Sequence, residues 1–353
     1  FIPYVSPAGL ISPTLTWETV VAKNLGLDFT ILNQKLDVSF DIYTRDTKDM
    51  LMNVSYPDIL GTAAPKSNAA DLRTKGWELS ATWHDKVGTN WNYGLTLALS
   101  DNTSKITRYL NPTGAIDQYY VGKDIGEIWA YETVGIFQTE ADVAASANQD
   151  QLGAAWKAGD MQYADLNKDD KITPGVRTLN DHGDLRIVGN TTPRYSFGIN
   201  GDISYKGIGL NVFFQGVMKR DYLPDNGNWN AFYPYNDGHL EKYAISESWT
   251  ETNRDAYFAA PTFGYNTKKN IHPQSRYVQN ASYIRLKNLS VSYQFPVKLI
   301  QKVRLNGAQI YFAGMNLWEA TKMHKPLDPE SVFTVTQEYY LQRIFTLGVK
   351  LNF

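Results

Sequence analysis

Apolar and polar residues alternate along this chain with a period of two, over stretch after stretch. Leu36, Val38, Phe40 and Ile42 alternate with Asp37, Ser39, Asp41 and Tyr43. Trp77, Leu79, Ala81 and Trp83 alternate with Glu78, Ser80, Thr82 and His84. Trp91, Tyr93, Leu95, Leu97 and Leu99 alternate with Asn92, Thr96 and Ser100. Tyr195, Phe197, Ile199, Ile203 and Tyr205 alternate with Ser196, Gly198, Asn200, Asp202 and Ser204. A KGIG turn follows, then Leu210, Val212, Phe214, Gly216 and Met218 against Asn211, Gln215 and Lys219. Successive side chains of a strand point to opposite faces, so this pattern predicts strands with one apolar and one polar face. It places about nine: 20–32, 35–52, 75–86, 91–107, 195–206, 208–221, 283–295, 308–320 and 342–353. Within 283–295 the phase flips. Ile284 and Leu286 are out of step with Leu289, Val291 and Tyr293, which predicts a bulge between them.

The connections alternate as well. Those around Asn33-Gln34, Lys86 to Asn90, Lys206-Gly207 and 296–307 are short, whereas 53–74, 108–194, 222–282 and 321–341 are long. Strands of ten or more residues, with short turns on one side and long loops on the other, predict an all-β fold: a large antiparallel transmembrane barrel. Strands of soluble sandwiches run nearer five or six residues. The polar phase carries Asp28, Asp37, Asp41, Glu78, Asp202, Lys219 and Lys350, too many charges for a dry core and suited to a wet lumen. The apolar phase suits lipid. Trp83, Trp91, Tyr93, Tyr205 and Phe353 gather toward the short turns, and Tyr43, Trp77 and Tyr195 toward the long loops, as girdles at the lipid–water boundary would. In the last strand Phe345, Leu347, Val349, Leu351 and Phe353 should face lipid, with Thr346, Lys350 and Asn352 toward the lumen. Short turns of such barrels face the periplasm. The last strand then ends there, strand 20–32 descends from outside, and 1–19 is the tail of an external loop. A closed barrel pairs its first and last strands. Residues 1–353 are therefore expected to be the C-terminal part of a larger barrel, with 108–194 and 222–282 as large external loops.

Composition narrows the function. Cysteine is absent, which removes disulfides, thiolate metal sites and cysteine nucleophiles. No apolar run approaches the length of a helical membrane span. The net charge of -2, with both signs mixed, argues against nucleic-acid binding. The 23 Tyr and 9 Trp point to girdles or to surfaces that stack on ligands. The histidines His84, His182, His239, His272 and His324 are scattered, and no HExxH pair, G-x-S-x-G elbow or P-loop occurs. His84 and Asp85 are neighbours on a strand and so point apart. No enzyme is expected.

Four stretches carry a family resemblance: LTWETVVAKNLGLDFTILNQKLDVSFDIY (15–43), VGKDIGEIWAYETVGIFQTEAD (121–142), SRYVQNASYIRLKNLSVSYQFP (275–296) and the Phe-terminated last strand. In this order they resemble the C-terminal barrel portion of SusC/RagA-like TonB-dependent outer-membrane transporters. The resemblance implies a 22-stranded barrel with an N-terminal plug, in the outer membrane of a Gram-negative bacterium. It implies a SusD-like surface lipoprotein as partner, energy from the TonB complex, and an oligosaccharide or peptide cargo. It also implies that the assembly machinery reads the Phe353-terminated strand. The plug and the TonB-contacting segment are not in these residues. Two other readings stay open: a passive porin-like barrel and a soluble secreted glycan-binding β-protein.

Two loops carry candidate chemistry. In DLNKDDKI, Asp165, Asn167 and Asp169 fall at positions 1, 3 and 5 of a calcium loop and the Lys171 carbonyl at position 7. Asp170 stands where the sharp turn wants glycine, and Asp184 is the candidate closing acid across residues 173–183. No cofactor is required; calcium is the candidate ion. In DNGNWNAFYPYNDGH (225–239), Trp229, Tyr233 and Tyr235 join Asn228, Asn236 and Asp237. Flat rings with amides and carboxylates suit a sugar face or an extended peptide.

Overall fold

Nine strands form one antiparallel sheet in the order β1-β2-β3-β4-β9-β10-β13-β14-β15, each hydrogen-bonded to its neighbours in that list. The computed structural model describes residues 12–13, 15–53, 65–224, 232–233, 242–261, 269–324, 327–333 and 341–353. The sheet strands are β1 (Thr19–Ile31), β2 (Leu36–Asn53), β3 (Lys66–Val87), β4 (Trp91–Tyr109), β9 (Arg194–Tyr205), β10 (Ile208–Lys219), β13 (Tyr283–Gln294), β14 (Gly307–Thr321) and β15 (Ile344–Asn352). Three small ladders lie in the long connections. They are β5 (Glu127–Tyr131) with β8 (Leu185–Asn190), β6 (Thr133–Ile136) with β7 (Met161–Tyr163), and β11 (Asp221–Tyr222) with β12 (Gln279–Asn280).

All nine strands occur in the expected order, and most ends agree within a residue or two. The exception is β3, which begins at Lys66 rather than at 75 and shortens the long connection before it to 54–65. The stretch KSNAADLRT has no apolar phase, so its sequence does not read as a half-buried strand. Ion pairs bind it instead: Arg73 donates to Asp46 at 2.6 and 3.2 Å, and Arg108 reaches both Asp71 and Asp49. The tight turn between β9 and β10 has Lys206 at φ 46 and Gly207 at φ 89, positive at both central positions as a two-residue hairpin requires.

Register sets the two faces. Leu25, Ile42 and Trp77 share one face, with Leu27, Phe40 and Leu79 in the next row. Exposed apolar side chains run along this face across the interior strands, with Ile42 at 51%, Leu95 at 50%, Ile203 at 42% and Val291 at 41%. An apolar band this continuous has no place in water and fits a lipid environment. Trp91 and Tyr205 stack at 4.3 Å at its short-turn edge. Tyr43 departs from the girdle expectation. It lies in the polar phase, where its ring covers Gly76, so close that a Cβ there would stand 2.6 Å from the phenol. The bulge arrives where the phase flip put it: Lys287 is skipped in the ladders on both sides of β13.

Among the described residues, the buried apolar cluster lies outside the nine-stranded sheet. It sits in the long connections, where Tyr131, Met161, Tyr163, Phe232, Trp249, Phe258, Tyr277 and Leu327 pack together. Much of the aromatic load is therefore neither girdle nor ligand surface. It supplies a dense interior to three loops that are far apart in sequence. A buried ion pair ties two of them: Lys269 Nζ meets Asp160 Oδ2 at 2.5 Å, and Asn270 donates to Asp160 Oδ1 at 2.9 Å.

Candidate functional site

The polar face of the sheet is the surface that offers chemistry. Across β1, β2, β3, β4 and β9 one row reads Gly26, Asp41, Glu78, Ser100 and Ser196. The row below it reads Asp28, Ser39, Ser80, Ala98 and Gly198, and continues through Gln215 and Arg285 to Glu319. Below that come Thr82, Thr96 and Asn200; Thr82 and Thr96 share a hydrogen bond at 3.2 Å, as do Asn211 and Asn200. Such a wall is hydroxyl-, amide- and carboxylate-lined. It suits water and polar solutes and offers no dry binding surface.

Asp41 and Glu78 stand directly opposite each other in register. Asn24 Nδ2 donates to Asp41 at 2.7 Å. Two open hollows meet at this pair. One, of about 410 Å³, runs over Ser39, Ser80, Ser100, Ser196 and Gln215. The other, of about 490 Å³, runs over Asn24, Tyr43, Arg45, Asn102 and Ser104. The wall is thus acidic at its centre, with Arg45 as a cation nearby. Nothing here forms a catalytic dyad. Asp85 pairs with Lys35 at 2.9 Å, while His84 turns the other way to within 3.7 Å of Asp37.

Arg285 is a residue that the sequence patterns did not single out. It is 1% exposed and holds three carboxylates: Asp328 at 2.6 Å, Glu330 at 2.5 Å and Glu319 at 3.0 Å. Lys287, at the bulge, adds bonds of 2.9 and 3.0 Å to Glu330. Arg285 and Lys287 are two residues apart on the strand and both reach Glu330. Residues 327–333 of the following connection are thereby pinned to the polar face of β13 and β14.

The loop motifs have local causes. Gly122 and Gly126 have φ of 95 and 89, a region only glycine enters freely. A Cβ on Gly126 would stand 2.7 to 2.8 Å from the side-chain oxygens of Asn190, Thr191 and Thr192. Those residues close over the glycine: Asn190 and Thr192 both donate to the Ile125 carbonyl, at 3.0 and 2.7 Å. In GIFQ, Gln138 holds Trp249, whose indole donates to it at 3.3 Å.

Asp165, Asn167, Asp169 and Lys171 do form one turn, with Lys168 and Asp170 at φ 62 and 61. Their side-chain oxygens accept backbone N–H groups. Asp165 takes Lys168 at 2.6 Å and Asp170 at 2.8 Å, and Asp169 takes Lys171 at 2.9 Å. Asp184 is fully buried, and its two oxygens accept Leu166 N–H and Thr173 N–H, each at 2.7 Å. It staples the ends of the turn together. Among the described residues no group of three or more acidic or imidazole side chains is placed to hold a metal ion.

Of the 225–239 candidates, Trp229, Tyr235, Asn228, Asn236 and Asp237 lie outside the described residues. Tyr233 is described and is only 4% exposed, its ring 4.9 Å from Phe232 and 5.0 Å from Tyr277. It packs the loop core, where the sequence reading had it meeting a ligand.

The family model for the TonB-dependent receptor-like β-barrel matches residues 3–317. The chain belongs to that family. Among curated proteins, TonB-dependent receptor P3 of Formosa agariphila is 26% identical over 96% of this chain and 34% of its own length. TonB-dependent receptor SusC of Bacteroides thetaiotaomicron is 24% identical over 96% of this chain and 32% of its own. The chain thus spans about a third of the length of these relatives. The solved structure of the RagAB peptide transporter superposes with a TM-score of 0.73 at 24% identity, covering 99% of this chain and 36% of that one. A second RagAB structure, in the open-open state, gives 0.71. The SusC/RagA-like resemblance read from the motifs therefore holds, and so does the partial antiparallel barrel. Membership implies the outer membrane of a Gram-negative bacterium, and the relatives are receptors and transporters, not enzymes.

Proposed function

We propose that the whole protein imports oligosaccharides or peptides across the outer membrane as a TonB-dependent, SusC-like transporter. A SusD-like lipoprotein would be its surface partner. The observation that supports this most is the division of the sheet. One face carries a continuous exposed apolar band, and the other is a hydroxyl- and carboxylate-lined wall. Above the wall, the described parts of the long connections pack around a shared aromatic core. A passive channel needs an open mouth. A packed mass at the external end, pinned to the wall through Arg285, suits a gated and energised path instead. The whole protein's cargo and partners follow from relatives that this chain covers only in part. RagAB, by its description, takes peptides.

The test is uptake by cells carrying the full-length protein, with the TonB complex present or deleted. Accumulation of an oligosaccharide or peptide that stops on deletion is expected. Equal accumulation without the TonB complex would overturn active import in favour of a passive barrel.

A further inference from the structure

The outward face of the sheet changes character within one row. Leu25, Ile42 and Trp77 form its last apolar row toward the long loops. Asp101 completes that row on β4, but it is buried and held by Arg194 at 2.5 and 2.6 Å. The next row is Lys23, Thr44, Lys75 and Thr103, in register across β1 to β4. Lys23, Lys75 and Thr103 are exposed. This row contains two cations, two hydroxyls and no acid. The row beyond is different, since its cations are matched: Arg73 with Asp46 at 2.6 Å and Lys105 with Asp124 at 3.5 Å. Lys23 and Lys75 have no carboxylate within ion-pair distance among the described residues. The acid that Lys23 feels is Asp46, already bonded to Arg73, while Lys48 is shared between Asp46 and Asp71.

We propose that this row binds the phosphate of an outer-leaflet lipid headgroup. Lys23 and Lys75 would hold phosphate oxygens, Thr44 would donate between them, and Leu25, Ile42 and Trp77 would lie along the acyl chains. The spacing allows it. β1 and β3 are two strand separations apart, about 9.5 Å, so two long side chains can converge on one headgroup. Charge and place agree: unmatched cations stand directly above an apolar band, at the level where lipid phosphates lie. The opposite face of the same strands offers Asp41 and Glu78 and would repel such a group. The proposal rests on the outer-membrane barrel reading.

The experiment uses the full-length protein in neutral detergent, with native mass spectrometry to count retained phosphatidic acid or phosphatidylcholine of the same chain length. Each lysine near a headgroup contributes about a fivefold change, so Lys23→Ser/Lys75→Ser should weaken phosphatidic acid retention by about thirtyfold. Phosphatidylcholine, whose phosphate already carries a choline cation, should lose less than phosphatidic acid, and millimolar inorganic phosphate should not displace the lipid. The exposed loop pair Lys157→Ser/Lys242→Ser should behave as wild type. Equal retention by the Lys23/Lys75 variant would overturn the site. So would the same loss in the loop control, which would mean a general charge effect, or displacement by free phosphate. Heat-modifiable migration, followed in every sample, reports the barrel itself. A protein that lacks it defeats the barrel reading; one that keeps it while retaining lipid equally defeats only the site.

Discussion

Replacing Arg285 by methionine should release the last external connection from the wall while leaving the barrel standing. Arg285 is the one guanidinium shared by Glu319, Asp328 and Glu330. Methionine keeps much of its stem volume and removes all of its donors. Taking one partner from a buried ion pair costs about 3–5 kcal/mol, because the charge left behind is poorly solvated. That range needs discounting here. The carboxylates of Glu319 and Glu330 are 38% and 30% exposed, so water screens them, and Glu330 keeps Lys287. Asp328, at 9%, carries most of the penalty. A cost of about 2–3 kcal/mol follows, which is a thirtyfold to hundredfold rise in the open population of the segment.

The segment carries its own reporters. Glu330 N–H and Ser331 N–H donate to Asp328 Oδ1, and Val332 N–H to the Asp328 carbonyl. Hydrogen exchange on the full-length protein should show their protection falling by that factor, while Leu289 to Tyr293 in β13 exchange as before. Arg285→Lys should fall between, since one ammonium cannot span three carboxylates. Unchanged protection of Glu330, Ser331 and Val332 in Arg285→Met would refute the latch. A general rise in exchange across β13 would refute its locality.

Further outcomes can be checked alongside. Burial holds the His272 imidazole below its ordinary value, partly opposed by its bond to the Leu152 carbonyl at 2.6 Å. The unfolded loop then binds the proton more tightly. The stability of the loop core should be full above about pH 6.5 and fall as pH drops below it; His272→Gln should flatten that slope in exchange measured from pH 8 to 5. Asp184 caps two backbone groups from full burial, so Asp184→Ala should lower the melting temperature more than Asp165→Ala, whose carboxylate is near water. Calcium is tested at this turn on the intact protein: a calcium-dependent rise in melting temperature that disappears in Asp165→Ala would support a bound ion, and no shift in either protein would refute it. Phe353, just past the end of β15 and 87% exposed, should matter to assembly: Phe353→Ala in the full protein should lower the heat-modifiable fraction, and a normal fraction would refute that role.

What the sequence disclosed and what it hid divide at the edge of the apolar band. Inside the band each strand separates two solvents, lipid and water, so alternation is strict and readable. The flip between Leu286 and Leu289 even located the Lys287 bulge. Above the band both faces of a strand meet water or loop, and the signal vanishes. Residues 66–74 of β3 therefore read as loop, although Arg73, Asp71 and Arg108 knit them into the sheet. Farther out the logic inverts. The loop aromatics have no local period because their partners are remote: Lys269 meets Asp160 and Gln274 meets Tyr163 across more than a hundred residues. A single Tyr or Phe in such a loop looks the same in sequence whether it waits for a ligand or fills a core. Tyr233 shows the consequence, since its aromatic, amide-rich neighbourhood suggested recognition and its burial assigns it to packing. The same blindness covers Arg285. Its motif was visible as R-L-K-N-L, but its three acids come from β14 and from a loop more than forty residues on. Charges that look unmatched in sequence acquire partners in the fold. That is why Lys23 and Lys75, with no carboxylate within ion-pair distance among the described residues, stand out at the boundary of two solvents.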